Sequence, residues 1–136
     1  MLDVSIRLGI LDLMMDLKRR FNLTYIFITH DLGVARYICS RIAVMYQGKI
    51  VEIADPEELI NRPLHHYTNL LLASIPGSPM KSPSQPTDSS LNPLGLPRGC
   101  RFQSRCPAAQ EKCRSVEPPL VEMRERHFAA CHFPIT

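Results

Sequence analysis

Between Pro76 and Pro97 the chain sets six of its twelve prolines among Ser, Gly and Asn, with little that a core could use. Proline fixes φ and removes a backbone donor, and so little apolar surface cannot offset the entropy of ordering the segment. Residues 76–97 are therefore read as a linker, and whatever folds must fold on either side of it. A length of 136 residues leaves room for one modest core and a small appended module, and excludes two full domains.

Ahead of the linker the pattern is mixed helix and strand. Residues 4–20 place Leu8, Leu11, Met14 and Met15, with Ile10 beside them, at helical spacing, and Asp3 stands where it can cap the first turn. Lys18, Arg19 and Arg20 suit the negative end of that helix, and Asn22 ends it. The following run, Thr24 to Thr29, is β-branched and aromatic without alternation, the pattern of a strand buried on both faces. A helix feeding such a strand predicts a parallel α/β sheet. Asp31 can cap a short helix from Leu32 to about Cys39, and two strand-like runs, Arg41–Tyr46 and Lys49–Ile53, meet at Gln47-Gly48 as a hairpin. Asp55, Pro56, Glu57 and Glu58 open a further helix, and another from about His65 to Ser74 should pack Leu70, Leu71 and Leu72.

Composition narrows the function classes. Apolar residues make up 45% of the chain, charged residues 21%, and the net charge is +3, the balance of a globular protein without the concentrated basic face that nucleic acid requires. No apolar run reaches the roughly 18 to 20 residues that span a bilayer, and the acidic start is unlike a secretory leader. A cytosolic setting is expected, in which clustered thiols hold metal more often than they form disulfides. Four of the five cysteines, Cys100, Cys106, Cys113 and Cys131, fall in residues 98–136 with five, six and seventeen residues between them. So short a segment needs a staple, and four thiolates suit a [4Fe-4S] cluster or tetrahedral zinc. Spacings wider than zinc knuckles, Pro107 directly after Cys106, and the cations Arg98, Arg101, Arg105, Lys112 and Arg114 favour the anionic iron-sulfur cluster. His127 and His132 are alternative zinc ligands, and Cys39, which lies apart, is read as a small buried apolar residue.

His30 and Asp31 close the predicted Thr24–Thr29 strand, at the edge where open parallel sheets bind ligands. A histidine there can donate to a phosphate oxygen or hold an attacking water, although many histidines after strands are only turn residues. Leu2-Asp3-Val4-Ser5-Ile6-Arg7 and the continuous stretch from Thr24 to Pro76, with its Thr-His-Asp and Pro63-Leu64-His65-His66-Tyr67, resemble the ATP-binding subunits of peptide-importing ABC transporters. The resemblance implies a partial phosphate-loop ABC nucleotide-binding domain, its C-terminal portion, with a small cysteine-rich module after it. It implies that Asp3 ends the loop communicating across an ATPase dimer, and that His30 is the switch histidine that senses the γ-phosphate and positions the hydrolytic water. The same resemblance supports ligation by the four cysteines without fixing the metal. His66 stands where the family has proline, and His65 and His66 can equally be a solvated helix start.

By this reading residues 1–54 are ATPase domain, 55–75 a helical extension, 76–97 the linker and 98–136 the four-cysteine module. Gly48-Lys49 is followed by Ile50 and preceded by Ala43, so it is no phosphate loop, and the family's loop, signature motif and magnesium-binding carboxylates would lie upstream of Met1. ATP and Mg are then cofactors of the intact parent, and the chain alone would be inactive. Membrane-spanning permease subunits and a second ATPase subunit are the implied partners, at the cytoplasmic face of the membrane. A stand-alone iron-sulfur or zinc sensor without ATPase activity is the alternative.

Overall fold

The computed structural model describes residues 4–75 and 98–136, so Asp3 and the Pro76–Pro97 linker lie outside the described residues. The chain divides into two units, Met1–Ser40 and Arg41–Thr136, a boundary that falls inside the segment expected to be ATPase domain.

In the first unit the helix expected at the start forms as α1, Val4–Phe21, with Lys18, Arg19 and Arg20 in its last turn. Asn22 adopts φ 50°, and the amide of Leu23 reaches back to the carbonyl of Lys18 at 3.1 Å, which closes the helix with a left-handed residue and a six-to-one bond. The expected apolar face is only partly covered: Leu11 is buried, Met14 and Met15 are half-buried, and Leu8 and Ile10 are exposed. Helix α2, Leu32–Ile38, follows, its first turn capped by Asp31, whose Oδ1 accepts from the amide of Val34 at 3.1 Å. The Tyr37 hydroxyl donates to Asp12 Oδ1 at 2.7 Å and ties α2 to α1.

The segment between these helices corrects the sequence reading. Residues 23–29 form no strand and join no ladder among the described residues, and Ile26 and Ile28 are each 93% exposed. The β-branched and aromatic side chains supply propensity, but strand pairing needs a neighbouring backbone as well. The sheet that does form lies in the second unit and is antiparallel, so the predicted parallel sheet is absent among the described residues.

That second unit opens with the expected hairpin. Strands β1, Ile42–Tyr46, and β2, Lys49–Ala54, pair antiparallel across Gln47 (φ 46°) and Gly48 (φ 78°), two left-handed residues whose twist matches that of the strands. A register shift between Val44 and Met45 leaves Val51 as an extra residue on β2. Helix α3, Pro56–Asn61, begins with proline and two glutamates as expected, although Asp55 makes no capping side-chain bond and instead pairs with Arg126 at 3.1 Å. Helix α4, His66–Ala73, buries Thr68 and Leu72 while Leu70 and Leu71 are half-buried.

Residues 98–136 carry a short 3-10 turn at Gln103–Arg105, helix α5, Glu111–Ser115, and strands β3, Val121–Arg124, and β4, His127–Ala129. Strand β4 pairs with β2 through Glu52↔Ala129 and Ile53↔Phe128, giving the order β1-β2-β4-β3. Phe102, 1% exposed, meets Tyr46 edge-on with ring centroids 5.3 Å apart and lies 5.5 Å from Tyr67. Backbone hydrogen bonding and aromatic burial thus join the cysteine-bearing segment to the hairpin and α4, so its apolar side chains share a core with residues 41–75.

Gly99 permits one close approach in that core. A Cβ there would fall 2.1 Å from the carbonyl oxygen of Cys113, beside the 2.8 Å bond from the Cys100 amide to that same oxygen. Gly99→Ala must push two backbone segments apart and should destabilise the second unit by roughly 1–3 kcal/mol in denaturant unfolding. An unchanged midpoint would mean that the approach is not required.

Candidate functional site

Three groups of chemistry-bearing residues can be located: His30 in the first unit, a buried polar cluster around Glu52, and the cysteines. His30 is exposed, between the unpaired segment 23–29 and the cap of α2. The Asp31 amide beside it donates to Thr29 Oγ1 at 3.0 Å, so a side-chain turn fixes the backbone while the imidazole stays open to solvent.

Glu52 is fully buried on β2. Its Oε1 accepts from the Leu64 amide at 2.8 Å, its Oε2 accepts from the His65 amide at 2.9 Å, and His127 Nε2 lies 2.7 Å from Oε1. Nothing in the local pattern Lys49-Ile50-Val51-Glu52-Ile53-Ala54 announces this role, although a lone acid inside an apolar strand is the one signal that could have pointed to it. His127, named from sequence as a spare zinc ligand, commits Nε2 to Glu52, and its Nδ1 has no hydrogen-bonding partner within the protein. His132 Nε2 contacts the Val116 carbonyl at 3.0 Å.

The His65-His66-Tyr67 element departs from the solvated start proposed for it. His65 is 1% exposed and caps α4, its Nδ1 accepting from the Tyr67 amide at 3.0 Å, which assigns the proton of the neutral ring to Nε2. Burial, reinforced by the charge of His66, pushes its pKa down from 6.5 to about 4. His66 is half-buried, and its Nε2 donates to the Phe133 carbonyl at 2.9 Å.

The cysteines converge electrostatically. All five are free thiols. Burial pushes the Cys131 thiol up to about 11, with further upward pressure from Cys106, Cys100 and Cys113, and Cys106 is likewise pushed up to about 11 by burial and then by Cys100 and Cys113. Opposing these effects, backbone amides of Phe102 and Gln103 donate to Cys100, that of Ala108 to Cys106, and that of Phe133 to Cys131. Such donors stabilise thiolate when a cation is present. The donor chemistry therefore suits metal, but among the described residues no group of three or more His, Cys, Asp and Glu side chains is arranged to hold an ion. Cys39, expected to be a buried apolar residue, is half-buried at the C-cap of α2.

A groove of about 670 Å³ runs beside Cys100, lined by Met45, Ile50, Leu120, Arg101 and the ion pair Lys49–Glu117 at 2.8 Å. No helix of the described residues is long and apolar enough to cross a membrane.

Residues 51–113, which include most of β2, helices α3 and α4 and the first three cysteines of the C-terminal segment, match the model of the oligopeptide/dipeptide transporter C-terminal region. More particularly, the chain is similar over nearly its whole length to the C-terminal part of peptide-import ATP-binding proteins. It is 45% identical over 136 residues to a putative peptide import ATP-binding protein of Brucella ovis, covering 96% of this chain and 42% of that protein. Identity is 43% to the oligopeptide transport ATP-binding protein AppF of Bacillus subtilis, covering 96% and 41% respectively. For the di/tripeptide transport ATP-binding protein DppF of Pseudomonas aeruginosa it is 40%, with the same coverage. The chain thus spans about two fifths of the length of these relatives.

The depressed His65 pKa has a signed consequence. Between pH 6.5 and about 4 the unfolded chain binds a proton there that the folded chain does not, so stability is lost as pH falls through that window. The full loss is of order 3 kcal/mol, from about 1.4 kcal/mol per pH unit. His65→Asn, which keeps a capping acceptor, should flatten the acid limb of the stability profile, and a limb of unchanged slope would remove His65 as its source.

Proposed function

We propose that this chain serves as the C-terminal part of the ATP-binding subunit of a peptide importer, coupling ATP hydrolysis to solute entry in the assembled protein. The reading rests on a single observation, the similarity to peptide-import ATP-binding proteins along 96% of the chain. The exposed Ile26 and Ile28 support it physically, because a segment of that composition gains ladder partners from the portion of the subunit that the longer relatives possess.

In that setting His30 handles phosphate. Phosphoryl transfer depends on positioned donors and an oriented water more than on covalent chemistry, and the exposed imidazole that follows residues 23–29 can supply one donor. Asp3, in the same reading, belongs to the loop that communicates across the ATPase dimer. ATP and Mg bind to the rest of the subunit, since this chain carries no Gly-rich loop ending in Gly-Lys-Ser/Thr. The partners are the membrane-spanning permease subunits and a second ATPase subunit, met at the cytoplasmic face. The chain alone should show no ATP turnover. In a full-length subunit His30→Ala should lower turnover roughly a hundredfold with nucleotide affinity retained, because the group acts on the transition state. Retained turnover would end the assignment.

A second reading concerns Cys100, Cys106, Cys113 and Cys131, proposed as ligands of an iron-sulfur or zinc centre. It is favoured by their mutual electrostatic proximity and by the backbone amides donating to three of the sulfurs. The centre would staple the segment, and ligation would require the sulfurs to close on one another. Anaerobic iron and sulfide reconstitution, or Zn²⁺ titration, should load one centre per chain in the wild type and none in Cys106→Ser. Equal loading of both proteins would reject the ligand set.

A further inference from the structure

The last residues of the chain hydrogen-bond to β2 on one side of Cys131 and to residues 64–66 on the other. Upstream of that cysteine, His127 Nε2 lies 2.7 Å from Glu52 and the Ala130 amide donates to the Val51 carbonyl at 2.8 Å. Downstream, the Phe133 carbonyl accepts from His66 Nε2 at 2.9 Å and the Ile135 amide donates to the Leu64 carbonyl at 2.9 Å. Glu52 closes the loop by accepting from the amides of Leu64 and His65. The segment 64–66 is thereby held by the same strap that carries Cys131, through bonds only a few residues from the sulfur.

We propose that residues 127–135 act as a strap through which chemical change at Cys131 is transmitted to the histidine-tyrosine turn at residues 64–67, and through which the state of that turn controls access to the thiol. The two arrangements are strap seated and strap lifted, and a coupling of this kind is reciprocal by thermodynamic necessity. His127 Nδ1, on the strap, and Thr68 Oγ1, on the α4 turn it meets, are buried without hydrogen-bonding partners inside the protein. When opening and closing are fast, the reactivity of the half-buried Cys131 thiol rises with the population of the lifted state. The inference rests on these hydrogen bonds.

The test labels the whole chain with N-ethylmaleimide and resolves each cysteine by mass spectrometry. His66→Ala removes one bond of the strap from a half-buried side chain, and Ile135→Pro removes another close to the chain end. Each should raise the labelling rate of Cys131 about five-fold relative to Cys106, the factor that one net hydrogen bond of about 1 kcal/mol converts to. Lys49→Ala, which breaks only the Lys49–Glu117 pair, should leave that ratio unchanged. In the reverse direction, a chain labelled at Cys131 should exchange the Leu64 and His65 amides faster while the Val34 amide keeps its rate. An unchanged Cys131 rate in both variants would overturn the proposal. So would acceleration of Cys100, Cys106, Cys113 and Cys131 together, which marks general loosening, or unaltered exchange at Leu64 and His65.

Discussion

A carboxyl group withdrawn from water must find its hydrogen-bonding partners inside the protein, and Glu52 finds three. Two are backbone amides of the loop entering α4 and the third is an imidazole from β4, so one side chain on β2 engages elements far apart in the sequence. Burying such a group is costly unless every partner is present, and removing one partner of a buried pair typically costs about 3–5 kcal/mol. The second unit is therefore organised around a condition: hairpin, α4 and C-terminal strand must assemble together, because none satisfies Glu52 alone. The packing of Phe102 against Tyr46 and Tyr67 adds an apolar bond between the same parts.

This arrangement changes what the four-cysteine segment is. Read alone, residues 98–136 are too few to fold on apolar burial and call for a metal staple. In the folded chain β4 takes a place in the sheet beside β2, and Phe102 occupies the core that Tyr46 and Tyr67 line. The segment draws order from its packing on residues 41–75 as well as from any ligation of the sulfurs. The raised pKa values of Cys106 and Cys131 agree with this, since thiols buried by packing remain protonated until a cation compensates them.

The first unit shows the opposite situation. Ile26 and Ile28 project into solvent from a segment whose composition is that of a buried strand, and His30 follows them, open and unburied. The chemistry expected of His30 needs a phosphate held by other residues, and the relatives are more than twice the length of this chain. What is fixed locally is the backbone around His30, by the Asp31 cap and the Thr29–Asp31 turn.

What the sequence by itself determined is what depends on neighbours a few residues away. The stop at Asn22, the Asp31 cap, the Gln47-Gly48 turn, the proline start of α3 and the histidine-to-alanine span of α4 all follow from local backbone preferences and short hydrogen bonds. Only the tertiary structure decided that Thr24–Thr29 stays unpaired, that β4 pairs with β2, that His65 is buried rather than solvated, and that Glu52 and His127 meet. Each of these depends on which distant backbone or side chain is available to share a hydrogen bond or exclude water, and no pattern within a window of a dozen residues carries that information.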